Sequence, residues 1–200
     1  AQCGYGDGDE KTVVSFGGNA ANKRVTTYFR KTFSADDTAC VTNLILKMIF
    51  DDGAAVFLNG TQIVNANLNA GAAYNTLATA TPTALEDTWR SYSIDPKLLI
   101  EGTNTLAAEV HLSSVSSTNL SFDLQLIANR VPCITAISLT NNLQALLCLG
   151  GPTNATAIIQ ASQTLINWTN LGSVILTNAK GTFIDTQSTN FNRRFYRAIE

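Results

Sequence analysis

The chain has 200 residues, room for one large domain or two small ones that bury their own cores. Charged residues make up 14%, against roughly 25% in ordinary soluble domains, and 25 Thr, 19 Asn and 13 Ser supply neutral polarity instead. A net charge of −2, no apolar run of about 18 residues and a single His argue against nucleic acid, membrane insertion and His-centred catalysis.

Short runs of β-branched and aromatic residues, alternating apolar with polar and punctuated by Gly, Asn, Asp and Pro, predict strands throughout, with no convincing helical stripe. The first are expected at 25–33 and 44–50; in the second, Leu44, Leu46, Met48 and Phe50 face one way with Lys47 opposite. Asp51-Asp52-Gly53 reads as a turn whose carboxylates bond their own backbone. A strand at 54–58 then leads into Asn59-Gly60, a two-residue hairpin in which both residues take positive φ, and 62–65 returns. A looser Asn-, Ala- and Thr-rich stretch covers 67–85 and includes no strand signal; Glu86-Asp87, like Asp36-Asp37, reads as ordinary loop acids. Strands resume at 89–94, turn at Asp95-Pro96, and continue at 105–112 and 120–128. Leu106, Ala108, Val110 and Leu112 share one face, as do Phe122, Leu124 and Leu126, while Glu109 and His111 lie on the reverse of the first.

A break at Asn129-Arg130-Val131-Pro132 sets the expected boundary between domains 1–131 and 132–200. Acidic residues outnumber basic ones 13 to 9 before Pro132, whereas basic residues outnumber acidic ones 4 to 2 after it. Strands are expected at 133–139, 143–149, 155–161, 168–176, 181–185 and 194–198, the pattern of a small immunoglobulin- or fibronectin III-like sandwich. The fold class is therefore all-β, two consecutive β-sandwiches.

Four cysteines, Cys3, Cys40, Cys133 and Cys148, show no C-x-x-C spacing and no neighbouring His, which argues against zinc. Their grouping favours disulfides Cys3–Cys40 and Cys133–Cys148, each within one half, out of three possible connectivities; four buried thiols are the alternative. Disulfides imply an oxidising compartment, and low charge with much Thr and Asn suits a secreted or cell-surface protein. Ala1-Gln2 lacks the basic and apolar regions of a signal peptide, so the chain is expected to be a soluble, mature one. Sequons at Asn59, Asn119, Asn154 and Asn167 arise readily by chance in such a composition and carry little weight.

Three sets of residues carry groups suited to chemistry. Asp7, Asp9 and Glu10 in a glycine-rich loop, and Asp51 with Asp52, present oxygen ligands suited to a structural Ca²⁺, although the spacing is only a fragment of a known calcium loop and a solvated turn is the simpler reading. No cofactor is required. His111 beside Glu109 has no G-x-S-x-G serine to activate, which favours a structural hydrogen bond over hydrolysis. Tyr74, Trp89, Arg90 and Tyr92, with Tyr5 and Trp168, are the candidates for stacking on sugar, Trp168 reading more naturally as core; spacing alone puts no two aromatics on one face.

The motifs GYGDGDE (4–10), NKRVTTYFRKTF (22–33), DDGAAVFLNG (51–60), GTNTLAAEVH (102–111) and LSFDLQL (120–126), in that order, resemble the galactose-binding-like β-sandwich (jelly-roll) module of large secreted bacterial proteins, especially in the Verrucomicrobia and Planctomycetes. IIQASQTLINWTNLGSV (158–174), GTFIDTQSTNF (181–191) and RRFYRA (193–198) are similar to the small β-sandwich repeat that ends secreted proteins of the same bacteria. The resemblance implies accessory, non-catalytic domains. It also implies a strand ahead of GYGDGDE; that segment starts here at Gly4, so the first sandwich is expected to be truncated or to present an open edge.

The resulting expectation is a non-catalytic secreted structural protein that self-assembles with copies of itself into an extracellular filament, sheath or surface layer by strand addition at that edge. The alternative is a carbohydrate-binding or adhesion module with polysaccharide as partner, or the detached tail of a larger secreted enzyme.

Overall fold

The alternation along residues 44–50 governs the first core: Leu44, Leu46 and Met48 are fully buried and Phe50 is 1% exposed. Burying each such side chain contributes roughly 1.5–3 kcal/mol. The computed structural model describes residues 2–79 and 88–200, so Glu86-Asp87 and the end of the 67–85 stretch lie outside the described residues. The strands are β1 (Cys3–Tyr5), β2 (Thr12–Val13), β3 (Thr26–Ala35), β4 (Val41–Phe50), β5 (Gly53–Leu58), β6 (Thr61–Ala66), β7 (Arg90–Ile94), β8 (Gly102–His111), β9 (Leu120–Arg130), β10 (Cys133–Leu139), β11 (Ala145–Gly150), β12 (Thr156–Ser162), β13 (Thr169–Ile175), β14 (Lys180–Asp185) and β15 (Phe195–Ile199). Helix among the described residues is confined to 3-10 turns at Thr38–Cys40, Pro96–Leu98 and Ser188–Asn190, and none is long and apolar enough to cross a membrane.

The chain divides into two compact units, Ala1–Ala35 with Leu44–Ile127, and Asp36–Asn43 with Ala128–Glu200. In the first, sheets ordered β2-β1-β9-β4-β7 and β3-β8-β5-β6 form a sandwich. Phe29 of β3 stacks on Phe122 of β9 across it, ring centroids 4.4 Å apart. Asn59 (φ 51°) and Gly60 (φ 84°) turn β5 into β6, as the Asn-Gly pair predicts. The Asn59 side chain is itself structural: its amide donates to Leu98 O (2.9 Å) and to Asn104 Oδ1 (2.8 Å), and its own oxygen accepts from Thr105 N–H (2.9 Å).

The short strands β1 and β2 go beyond the sequence reading, since two or three residues among glycines carry no period. They pair in parallel with each other, and β1 pairs antiparallel with β9. Gly4 makes this approach possible, because a Cβ there would collide with the Leu120 carbonyl oxygen. β1 reaches only Leu120, Ser121 and Phe122. From Leu124 to Ile127 no strand flanks β9 on that side among the described residues. Burial fades accordingly: Phe122 is 6% exposed, whereas Leu124 and Leu126, on the same face, are only half-buried. A cleft of about 380 Å³ opens there, its apolar lining including Phe29, Leu106, Ala108, Phe122, Leu124 and Leu126.

In the second unit, sheets β10-β11-β14 and β13-β12-β15 enclose Leu147, Leu149, Ala157, Ile159 and Leu176. Trp168 does not join them, contrary to expectation. It is half-buried just ahead of β13, its indole N–H donating to Leu165 O (3.1 Å) and the Arg197 guanidinium lying 4.3 Å from its ring centroid.

The disulfide pattern corrects the sequence reading. Cys40 bonds Cys133, while Cys3 and Cys148 remain thiols. Proximity in sequence misleads here because Asp36–Asn43, though flanked by strands of the first sandwich, belongs to the second unit. There Cys40 is fully buried, its carbonyl accepts from Val131 N–H (3.0 Å), and Asp37 accepts from Arg130 (3.2 Å) and Lys180 (2.5 Å). The pair Cys133–Cys148 is excluded by register: across the β10–β11 ladder Cys133 faces Gly150, and Cys148 faces Ala136. Cys3 sits opposite Phe122.

Candidate functional site

β3 is an edge strand whose pleat sends Phe29 inward and Tyr28 outward, leaving Tyr28 63% exposed. Beside it, on the segment following β6, Tyr74 is 72% exposed. The two rings line one cleft of about 250 Å³ together with Arg24, Val25, Thr26 and Asn75. A second cleft, of about 530 Å³, shares Arg24, Thr26 and Tyr28 and adds Val14, Ser15 and Thr27.

Buried polar groups fix this arrangement. The Thr26 hydroxyl donates to Tyr74 O at 2.6 Å. His111, opposite Thr26 on β8 and fully buried, has Nδ1 2.7 Å from Thr76 O; a carbonyl only accepts, so Nδ1 carries the proton. Nδ1 also lies 3.1 Å from the Thr26 oxygen, which accepts while its own proton serves Tyr74. Nε2 faces Glu109 Oε2 at 3.6 Å. The only imidazole therefore anchors the Tyr74 segment, as its structural reading anticipates. Its burial was not anticipated, because the strand pattern alone cannot show what covers the outer face of β8.

The predicted aromatics are scattered. Arg90 and Tyr92 belong to β7, at the edge of the other sheet, with the Arg90 guanidinium 4.1 Å from the Phe50 ring centroid and Tyr92 in register with Leu46; burial raises the Tyr92 pKa. Trp89, 39% exposed, precedes that strand. Tyr5 is 6% exposed and packs edge-on against Phe16 at 5.3 Å. Only Tyr74 reaches the cleft, and Tyr28, its partner there, was not among the candidates. The signal for Tyr28 lay in the alternation itself: with Phe29 and Phe33 inward, Tyr28 must face out.

The acidic residues form two separate groups. Asp7, Asp9 and Glu10 each bring a carboxylate oxygen within 4.8 Å of the others. The chain's own donors serve this loop: Asp7 accepts from Asn119 Nδ2 (3.1 Å) and Ser121 Oγ (2.8 Å), and Glu10 accepts from the N–H groups of Asp7 (2.9 Å) and Gly8 (3.0 Å). Those backbone donors hold the Glu10 carboxyl below its usual range. Asp51 and Asp52 do not join this group. They are 1% and 0% exposed, and Asp52 reaches across to accept from Ser113 N–H (2.6 Å), a partner outside its own turn.

Chemically, the clefts on β3 offer two exposed phenol rings, a guanidinium, hydroxyls and a carboxamide, with no carboxylate in the lining among the described residues. Flat apolar faces with polar groups at their rim suit a polar ring that stacks and hydrogen-bonds at once.

No family model matches the chain, and no curated protein matches it. Among solved structures it is similar to a β-D-mannosidase from Dictyoglomus thermophilum, with 12% identity, a TM-score of 0.32, and 88% of this chain and 24% of that one covered. It is similar also to an α-L-rhamnosidase from Aspergillus terreus (12%, 0.39, 90% and 32%) and an exo-chitosanase from Amycolatopsis orientalis (12%, 0.31, 84% and 20%). The chain thus spans a third or less of the length of each.

Proposed function

We propose that the chain is a non-catalytic carbohydrate-binding module of a secreted protein, and that it holds sugar on the Tyr28–Tyr74 cleft. The observation that carries this reading is two tyrosines, 63% and 72% exposed, lining one cleft with Arg24 and Asn75. Apolar surface that is contiguous and rimmed by polar groups marks binding sites, and Tyr and Arg are enriched among the residues that dominate binding. The module needs no cofactor. The Cys40–Cys133 disulfide supports an oxidising compartment, and the order of five motifs in the first sandwich supports a galactose-binding-like module. Titration calorimetry against a panel of neutral and charged oligosaccharides tests the reading. Binding that weakens about tenfold in Tyr28→Ala and in Tyr74→Ala, with melting unchanged, is expected; absence of any millimolar binding sinks it.

A second reading, self-association by strand addition, is favoured by the uncovered side of β9 from Leu124 to Ile127 and the apolar cleft beside it. Two copies pairing antiparallel about Gln125 would set Leu124 against Leu126 twice and close both clefts. Sedimentation over a wide concentration range tests this; a monodisperse monomer throughout, unchanged in Leu126→Lys, discards it.

A further inference from the structure

We propose that the Tyr28–Tyr74 cleft selects anionic sugars, pyranose rings that carry a carboxylate or a sulfate ester, and that Arg24 is the residue that reads the charge. The proposal rests on the reading of this cleft as a sugar site and gives it a ligand class.

Arg24 is exposed and lines both clefts on β3, as Tyr28 does, so the two residues border a bound ring whichever cleft it occupies. Its side chain lies across Gly17, with Cγ and Nε 3.6 and 3.7 Å from where a Cβ on that glycine would stand, and its N–H donates to Phe16 O (3.0 Å). Among the described residues its guanidinium has no carboxylate partner, unlike those of Arg130 and Arg194, which pair with Asp37 and Asp185. The acid nearest in register, Glu109 opposite Tyr28, is turned to His111 Nε2 at 3.6 Å and is absent from the lining of both clefts. Lys23, the neighbouring cation, is also occupied: its ammonium donates to Ala20 O (3.0 Å) and Ser117 O (2.5 Å). Arg24 thus brings a positive charge with no carboxylate partner among the described residues to a cleft lined by two tyrosines. A guanidinium offers carboxylate or sulfate two parallel N–H donors, and such charge-assisted bonds are about twice as strong as neutral ones.

The test is calorimetry of the full chain with three probes of equal length: a galacturonic acid trimer, the same trimer fully methyl-esterified, and a sulfated galactan oligosaccharide. Either the acid or the sulfated probe should bind about tenfold tighter than the ester, and Arg24→Gln should erase that advantage, so that the variant binds the anionic probe and the ester alike. Which of the two binds identifies the anion. Equal affinities for all three, each lost in Tyr74→Ala, overturn the proposal and leave the sugar site standing. Binding to none, or binding indifferent to Tyr74→Ala, overturns both. Thermal melting of the variants, both at exposed positions, confirms that a lost signal is not a lost fold.

Discussion

The Thr26 hydroxyl donates to the backbone carbonyl of Tyr74 at 2.6 Å, joining an edge strand to a segment 48 residues away and setting both cleft tyrosines relative to each other. Thr26→Val keeps the β-branched shape, removes that donor and leaves His111 Nδ1 with Thr76 O alone. A hydrogen bond of this kind contributes about 1 kcal/mol. Sugar affinity is expected to fall roughly fivefold, with a loss of stability of about 1 kcal/mol. Thr32→Val, six residues along the same strand and outside the lining of both clefts, is the control. Equal affinity for both variants shows that the Tyr74 segment is positioned by something other than Thr26.

The Cys40–Cys133 disulfide closes a loop with a sequence separation of 93, most of it the first sandwich. In the chain-entropy account a loop of that size adds roughly 4–5 kcal/mol of stability. Cys40→Ser with Cys133→Ser should lose an amount of that order in urea unfolding, whereas Cys3→Ser with Cys148→Ser should change stability little. Peptide mapping without reduction should find Cys40 linked to Cys133 and alkylator on the other two. A Cys3–Cys40 peptide in that map contradicts the structure.

Much of this architecture is legible in the residues. Leu44, Leu46, Met48 and Phe50 announce their strand because one buried face imposes period two, and Asn59-Gly60 announces its turn because few residues tolerate positive φ in succession. What escapes is whatever depends on distant contact. Asp36–Asn43 looks like a loop of the first sandwich, and nothing in its composition shows that Cys40 closes onto β10. The site is half legible for the same reason. Tyr74 stands out as an aromatic in a polar segment, but its pairing with Tyr28 depends on long-range hydrogen bonds, those of Thr26 and His111 among them.

Asp185 is a carboxylate of the second unit with several partners. It is 4% exposed, accepts from Gln187 N–H (3.0 Å) and the Tyr196 hydroxyl (2.9 Å), and pairs with Arg194 at 3.1 Å. Removing one partner of a buried pair strands the other, at a cost of about 3–5 kcal/mol. Asp185→Ala is expected to destabilise by that amount. Lys180→Ala, which breaks a pair with Asp37 through a side chain 58% exposed, should cost under about 1 kcal/mol. Chemical denaturation of the two variants checks the ratio; similar losses would mean that Asp185 is better solvated than its surroundings indicate.

Tyr5 makes the sharpest pH prediction. Its ring is 6% exposed, its buried hydroxyl makes no hydrogen bond among the described residues, and burial, reinforced by the charges of Asp51 and Asp52, pushes its pKa up to about 12. Below pH 10 the phenol is neutral in both the folded and the unfolded chain. Between 10 and 12 the unfolded chain releases its proton while the folded chain retains it, so stability falls through that window, by on the order of 2 kcal/mol in all. Tyr5→Phe removes both this loss and an unsatisfied buried hydroxyl, whose desolvation costs about 1–3 kcal/mol. The variant should therefore be at least as stable as the parent at neutral pH, and its advantage should widen as pH rises from 10 toward 12. Urea midpoints across that range decide the matter. A gap that stays constant would mean that Tyr5 ionises alike in both states; a Phe variant weaker at neutral pH would mean that the hydroxyl has a partner.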